Sequence, residues 1–101
     1  MQQLFVVIRR RGPAWNTSTS LEDQNDWNAH ASFMDALEEK GFVLLGGPLE
    51  GTSDALLVVR ANSSEEIVSR LSVDPWTATD ILYTAQISPW TLRLGSLPSK
   101  R

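Results

Sequence analysis

Apolar and polar positions follow two different periods along this chain. Residues 4–8 form a continuous apolar run that includes Val6, Val7 and Ile8, the pattern of a short strand covered on both faces. Gly12 and Pro13 close it. The pattern is lost over residues 14–24, which are rich in Ser, Thr and Asn. They read as a loop with Trp15 as an anchor, either a lid over a site or a variable surface loop. The period then becomes helical. Asn25 or Asp26 supplies a cap. Trp27, His30, Met34 and Leu37, with Ala31 beside them, share one face, and Asp35, Glu38 and Glu39 fall mostly on the other. Lys40 suits the helix C-terminus and Gly41 the residue that ends it.

Residues 42–45 make a second short apolar strand. Gly46, Gly47 and Pro48 close it and let the backbone approach a neighbour or a ligand. Residues 54–60 form a third strand, joined to the second as an antiparallel hairpin. Ser63 with Glu66 fits a capping box, after which Ile67, Val68 and Leu71 face the sheet. That helix stops before Pro75. One further helical turn is expected at 77–80, a fourth strand at 81–88 ended by Pro89, a short additional edge strand at 90–94, and a flexible tail at 97–101.

The order is β-α-β-β-α-β, the ferredoxin-like α+β pattern. It predicts a single domain over residues 1–96, with the 14–24 loop as an insertion. Two helices cover one face of the antiparallel sheet. The strands are apolar in both orientations, so the other face needs cover as well. For a chain of 101 residues the simplest cover is the sheet of a second copy, which predicts a homodimer.

Composition narrows the chemistry. There is no cysteine, which removes disulfides, thiolate nucleophiles and cysteine-bound metals together and fits a reducing compartment. A net charge of −3 gives no general attraction to nucleic acid or to an anionic membrane. The basic run Arg9, Arg10 and Arg11 reads as a solvated strand end before a phosphate clamp. The opening segment lacks the form of a signal peptide, because its apolar run is short and its arginines follow that run. A soluble cytoplasmic protein is expected.

His30 is the only histidine. On an apolar helix face it reads either as a hydrogen-bonded packing residue or as half of a site. One histidine with carboxylates alone makes a poor metal site, and no GxSxG elbow is present, so no metal and no cofactor are expected. Histidine with one carboxylate can perform acid–base chemistry, since the carboxylate sets the tautomer and imidazole changes charge close to neutral pH. Asp74, before Pro75 and Trp76, is the candidate partner; its plainer reading is a turn or cap residue. Arg9 and Arg10 alternate, so one points inward, either to hold a carboxylate or phenolate or to pair with a helix acid such as Asp35. Trp90 and Trp27 read as packing residues, whereas Trp15 and Trp76 suit the wall of an apolar pocket for a flat ligand.

The opening strand, Ala29-His30 early in the first helix, the stretch from Gly41 to Pro48, and Asp74-Pro75-Trp76 before the last strand resemble the YCII-related (YciI-like) proteins. The resemblance runs from Leu4 to about Leu94. It implies a dimeric α+β barrel and a pocket with a His–Asp pair, here His30 and Asp74, in a catalytic role. One branch of that family is similar to dehydrochlorinases of chlorinated hydroxyquinols. The 14–24 insertion and the tryptophans depart from the shorter YciI type. With the resemblance, Arg9, Trp15, Gly47, Pro48 and Trp76 become candidate substrate-binding residues around a small-molecule ligand. The expected function is a cofactor-independent lyase-type enzyme acting on a small cyclic or aromatic compound. A non-catalytic binding or accessory module in the same pocket is the alternative, with a cofactor-free monooxygenase third.

Overall fold

In a computed structural model, residues 2–97 are described. Of the tail expected over 97–101, residues 98–101 lie outside the described residues. The elements are β1 (Gln3–Arg11), a 3-10 turn (Leu21–Asp23), α1 (Trp27–Glu39), β2 (Val43–Pro48), β3 (Asp54–Ala61), α2 (Ser64–Leu71), α3 (Pro75–Ala78) and β4 (Leu82–Trp90). The sheet order is β2-β3-β1-β4, antiparallel throughout. This is the ferredoxin-like α+β arrangement, the protomer fold of dimeric α+β barrel proteins. Among the described residues, no helix is long and apolar enough to cross a membrane.

Strand alternation sorts the side chains onto two faces. Phe5, Val7, Leu57 and Val59 meet Leu37, Phe42, Ile67 and Leu71 beneath the helices as the main core. Val6 pairs with Val58 and Ile8 with Leu56 across the other face, and none of these four belongs to a core cluster. Leu45 and Trp90 stand exposed on that face. A second cluster, Trp76, Ile81 and Leu82 with Trp15, Leu21 and Trp27 against it, fills the end of the sheet where β1 finishes.

Two prolines expected to end strands lie inside them. Pro48 pairs with Ala55 within β2, and Pro89 pairs with Phe5 within β4. Both strands are sheet edges, where a missing N–H costs no ladder bond. The separate edge strand expected at 90–94 is absent: Trp90 closes β4, and residues 91–97 form no strand. Val68 is 54% exposed instead of facing the sheet. The capping box is half formed. Ser63 accepts from the Glu66 N–H, but the Glu66 carboxylate takes the Asn62 N–H. Asp26 occupies the N-cap position of α1 in a left-handed conformation (φ 61°) and makes no side-chain cap. There the neighbouring Asn25 carbonyl is committed to the Trp76 Nε1–H at 2.6 Å, so a tertiary bond sets the backbone.

The 14–24 segment is a clamped loop. Gln24 is buried, and its side-chain amide accepts from Asn16 N–H and donates to the carbonyls of Asn16, Thr19 and Ser20 and to the Thr19 hydroxyl. Its first residues are tied to the end of α3: Gly12 N–H donates to the Ile81 carbonyl and Ala14 N–H to that of Asp80. The Asp80 carbonyl occupies the space a Gly12 side chain would need. Gly12→Ala is therefore expected to lower stability by about 1–3 kcal/mol, read as a lower urea midpoint at unchanged slope.

Candidate functional site

Asp74 is fully buried, and the local sequence explains its pose. It is the N-cap of α3 with Pro75 in the first turn, and its Oδ1 accepts the Trp76 N–H at 3.0 Å. That capping bond aims the rest of the carboxylate back across the helix layer. His30, one turn into α1, brings Nδ1 to 2.9 Å from Oδ1 and 3.0 Å from Oδ2. Arg9, inward on β1, donates Nη2–H to Oδ2 at 3.1 Å. Cap and partner of His30 are thus one and the same role of Asp74.

Arg9 is only 3% exposed and fully committed. Besides Asp74, its guanidinium donates to the hydroxyls of Thr84 and Thr77, each at 2.8 Å, and the Thr77 hydroxyl passes its own hydrogen to the Leu71 carbonyl. A register shift between Ile8 and Arg9 in the β1–β4 ladder puts Thr84 opposite Arg9. Burial pulls the Arg9 pKa below its ordinary value, while the charge and hydrogen bond of Asp74 act the other way. Arg10 points to the opposite face and forks onto Asp54 at 2.7 and 3.1 Å. That hydrogen-bonded guanidinium holds the Asp54 carboxyl below the usual range. The inward arginine is therefore Arg9, and its partner is Asp74 instead of Asp35.

The imidazole of His30 lies flat on the Trp76 indole, with centroids 3.9 Å apart and planes 6° apart. Trp76 is itself fixed at its backbone by Asp74 and at Nε1 by Asn25. Because Asp74 already receives two N–H donors, the attractive tautomer of His30 carries its hydrogen on Nδ1. Nε2 is then the basic nitrogen, and among the described residues it has no protein partner.

His30 lines a cleft of about 300 Å³ between α1, the end of β1 and the β2–β3 hairpin. This lies at the small end of volumes typical of small-molecule sites. Arg9, His30, Trp15, Trp76, Gly47 and Pro48 all line it. Asp74 lies behind His30 and does not line it. Gly47 has open space where a side chain would project, whereas a Gly46 side chain would meet Leu57 Cδ2 at 2.7 Å. Trp27, read from sequence as a packing residue, lies in the same wall. Asp35 and Glu38, expected on the far side of α1, also line the cleft, because the sheet end leaves that shoulder of the helix uncovered. Arg11 was not singled out in the sequence beyond the basic run; its guanidinium stacks 4.5 Å over the Trp15 ring inside the cleft. Strand alternation from Arg9 is the signal that finds it. Among the described residues, no group of three His, Asp or Glu side chains is arranged to hold a metal ion.

Fold and geometry together define a ferredoxin-like α+β domain carrying a buried Arg–Asp–His cluster at the floor of an aromatic cleft. Among solved structures, the chain is similar to 5-chloro-2-hydroxyhydroquinone dehydrochlorinase (TftG) from Burkholderia phenoliruptrix AC1100, in complex with 2,5-dihydroxybenzoquinone. The TM-score is 0.63 at 22% identity, over 92% of this chain and 96% of that one. At that identity the likeness establishes the fold. No protein-family model matches the chain, and no curated protein matches it in sequence.

Removing one member of a buried ion pair strands the other. Asp74→Leu is expected to cost about 3–5 kcal/mol by leaving Arg9 uncompensated. The double variant Arg9→Met/Asp74→Leu is expected to lose clearly less than the sum of the two single variants. Chemical denaturation of the four proteins in the cycle measures this, and strict additivity would contradict the pairing.

Proposed function

We propose that the chain is a YciI-like protein and a cofactor-independent enzyme. Its His30–Asp74 dyad carries out lyase-type acid–base chemistry on a small cyclic or aromatic compound. The observation that carries this reading is the bond from His30 Nδ1 to a fully buried, otherwise satisfied Asp74, on a histidine that lines the cleft. Asp74 holds the ring in one tautomer and supports the imidazolium when a proton arrives. The indole beneath holds the plane of the ring. Trp15 and Trp27 offer apolar ring surface suited to an aromatic ligand, backed by the fully buried Trp76, with Gly47 and Pro48 also lining the cleft.

The reaction to test first is loss of hydrogen halide from a chlorinated hydroquinone, because the structural neighbour is named for a dehydrochlorination. His30 Nε2 takes the proton of one ring hydroxyl and returns it to the carbon bearing chlorine, giving the keto tautomer. It then takes the proton of the second hydroxyl. The released electron pair moves through the ring and expels chloride, and the ring becomes a quinone. One proton and one chloride leave, and the net oxidation comes entirely from the lost halide, so the balance needs no external oxidant. Both steps use one base that alternates between imidazole and imidazolium.

A non-catalytic binding module is the second reading. It is favoured by the small accessible edge of His30, whose side chain is 12% exposed. Chloride release from a chlorinated hydroquinone series decides between the two. Turnover that falls at least about 10²-fold in His30→Gln, together with Nδ1–H resonances of His30 that shift in Asp74→Asn, supports the dyad. Wild-type release at the uncatalysed rate, or an unmoved His30 spectrum, sinks it.

The chain is further proposed to pair with a second copy through the open sheet face of Val6, Ile8, Leu56 and Val58, flanked by Leu45 and Trp90. Leu45 and Trp90 are exposed there, Val6, Ile8 and Leu56 are half-buried, and a second copy would cover this apolar surface. A lysine at its centre, Ile8→Lys, is expected to convert a dimer to a monomer in analytical ultracentrifugation. The absence of cysteine agrees with residence in the reducing cytoplasm.

A further inference from the structure

The three consecutive arginines have three different fates. Arg9 is buried on Asp74 and two threonine hydroxyls, and Arg10 forks onto Asp54 across the sheet. Arg11, the last residue of β1, returns by alternation to the helix side and lines the cleft. Among the described residues it carries no ion pair. Its guanidinium lies over the face of Trp15, 4.5 Å from the ring centroid.

We infer that Arg11 is the anion-binding residue of the cleft, so that the ligand carries an anionic oxygen, a carboxylate or a phenolate, at the end next to the Trp15 face. A guanidinium stacked on an indole keeps its N–H edge free and its plane fixed, so less freedom is lost when it closes on two oxygens. The ring faces continue from there. Trp15 meets Trp76 edge-on at 5.7 Å, and Trp76 stacks on His30. A flat ligand anchored at Arg11 therefore shares the cleft with His30, the buried Trp76 packing behind both Trp15 and His30. Asp35 and Glu38 line the α1 side of the cleft, where carboxylates repel an anion, and the third lining carboxylate, Asp54, is paired with Arg10. Arg11 at one end and the carboxylates on the α1 side favour one orientation of an anionic ligand over its reverse. The clamped loop supports this arrangement, because Gln24 fixes Asn16, the residue next to Trp15.

This assignment rests on the reading of the cleft as a site for small aromatic compounds. Its test measures binding, so it does not depend on turnover. 4-Hydroxybenzoate and its neutral isostere 4-hydroxybenzamide are titrated into the full chain by calorimetry at low salt. Wild type is expected to bind the carboxylate about tenfold tighter than the amide, the effect of one charge-assisted bidentate contact. Arg11→Met should bring the ratio to about one, through weaker carboxylate binding with amide binding unchanged. Arg11→Lys should keep part of the preference, since the charge remains and the fork is lost. Arg11 is exposed, so these variants are expected to unfold at the wild-type midpoint. Equal binding of the two probes by wild type, or a preference that survives Arg11→Met, overturns the assignment and leaves the aromatic cleft standing. Binding of neither probe at millimolar concentration overturns both. An Arg11-dependent preference with no chloride released from any hydroquinone removes the lyase reading alone.

Discussion

A carboxylate with no solvent exposure governs this end of the molecule. Burying an ion is costly unless it is paired and its lone pairs are used. Asp74 meets both conditions through the Arg9 guanidinium, the His30 imidazole and the Trp76 amide. Those donors come from β1, α1 and α3, and Thr84 of β4 holds the guanidinium from the far side. The relative placement of four elements is therefore constrained by one group. The register shift beside Arg9 follows the same logic, because it sets a hydroxyl opposite the guanidinium.

The cluster also explains why the cleft is aromatic. Asp74 caps a four-residue helix whose next side chain is Trp76, so the bond that orients the carboxylate also sets the indole. The indole gives His30 a flat bed, gives Trp15 an edge and draws the Asn25 carbonyl to Nε1. That last bond accompanies the left-handed conformation of Asp26 and the missing side-chain cap on α1. A local preference for capping gave way to a tertiary hydrogen bond at the base of the site. The loop before α1 is ordered by the same economy of polar groups: the buried amide of Gln24 bonds the backbone around it, so Trp15 hangs from a fixed frame.

Charge is distributed unevenly around the cleft. Two of the three strand-end arginines pair with internal or surface carboxylates, and the third, Arg11, lies over Trp15 at the cleft. On the sheet's other face Val6, Ile8, Leu56 and Val58 form a second apolar layer outside the core clusters, with Leu45 and Trp90 exposed beside it.

The periods of the sequence were enough for the order of elements, the helix-facing core and the antiparallel hairpin, because burial on one or two faces writes itself directly into alternation. His30 and Asp74 were also legible: one is the only histidine, on an apolar helix face, and the other precedes Pro75 in a capping position. Their pairing was carried largely by family resemblance, since contact between residues 44 apart leaves no periodic trace. The errors share one cause. Pro48 and Pro89 were read as strand ends, Val68 as core, and Asp35 and Glu38 as outward-facing, because whether a strand is an edge or a helix shoulder is covered depends on the neighbours it acquires. Which arginine becomes a buried counter-ion, which a surface pair and which a free cation was decided by the tertiary structure alone. Alternation assigns a face, but only the assembled sheet and helices determine whether a partner waits there.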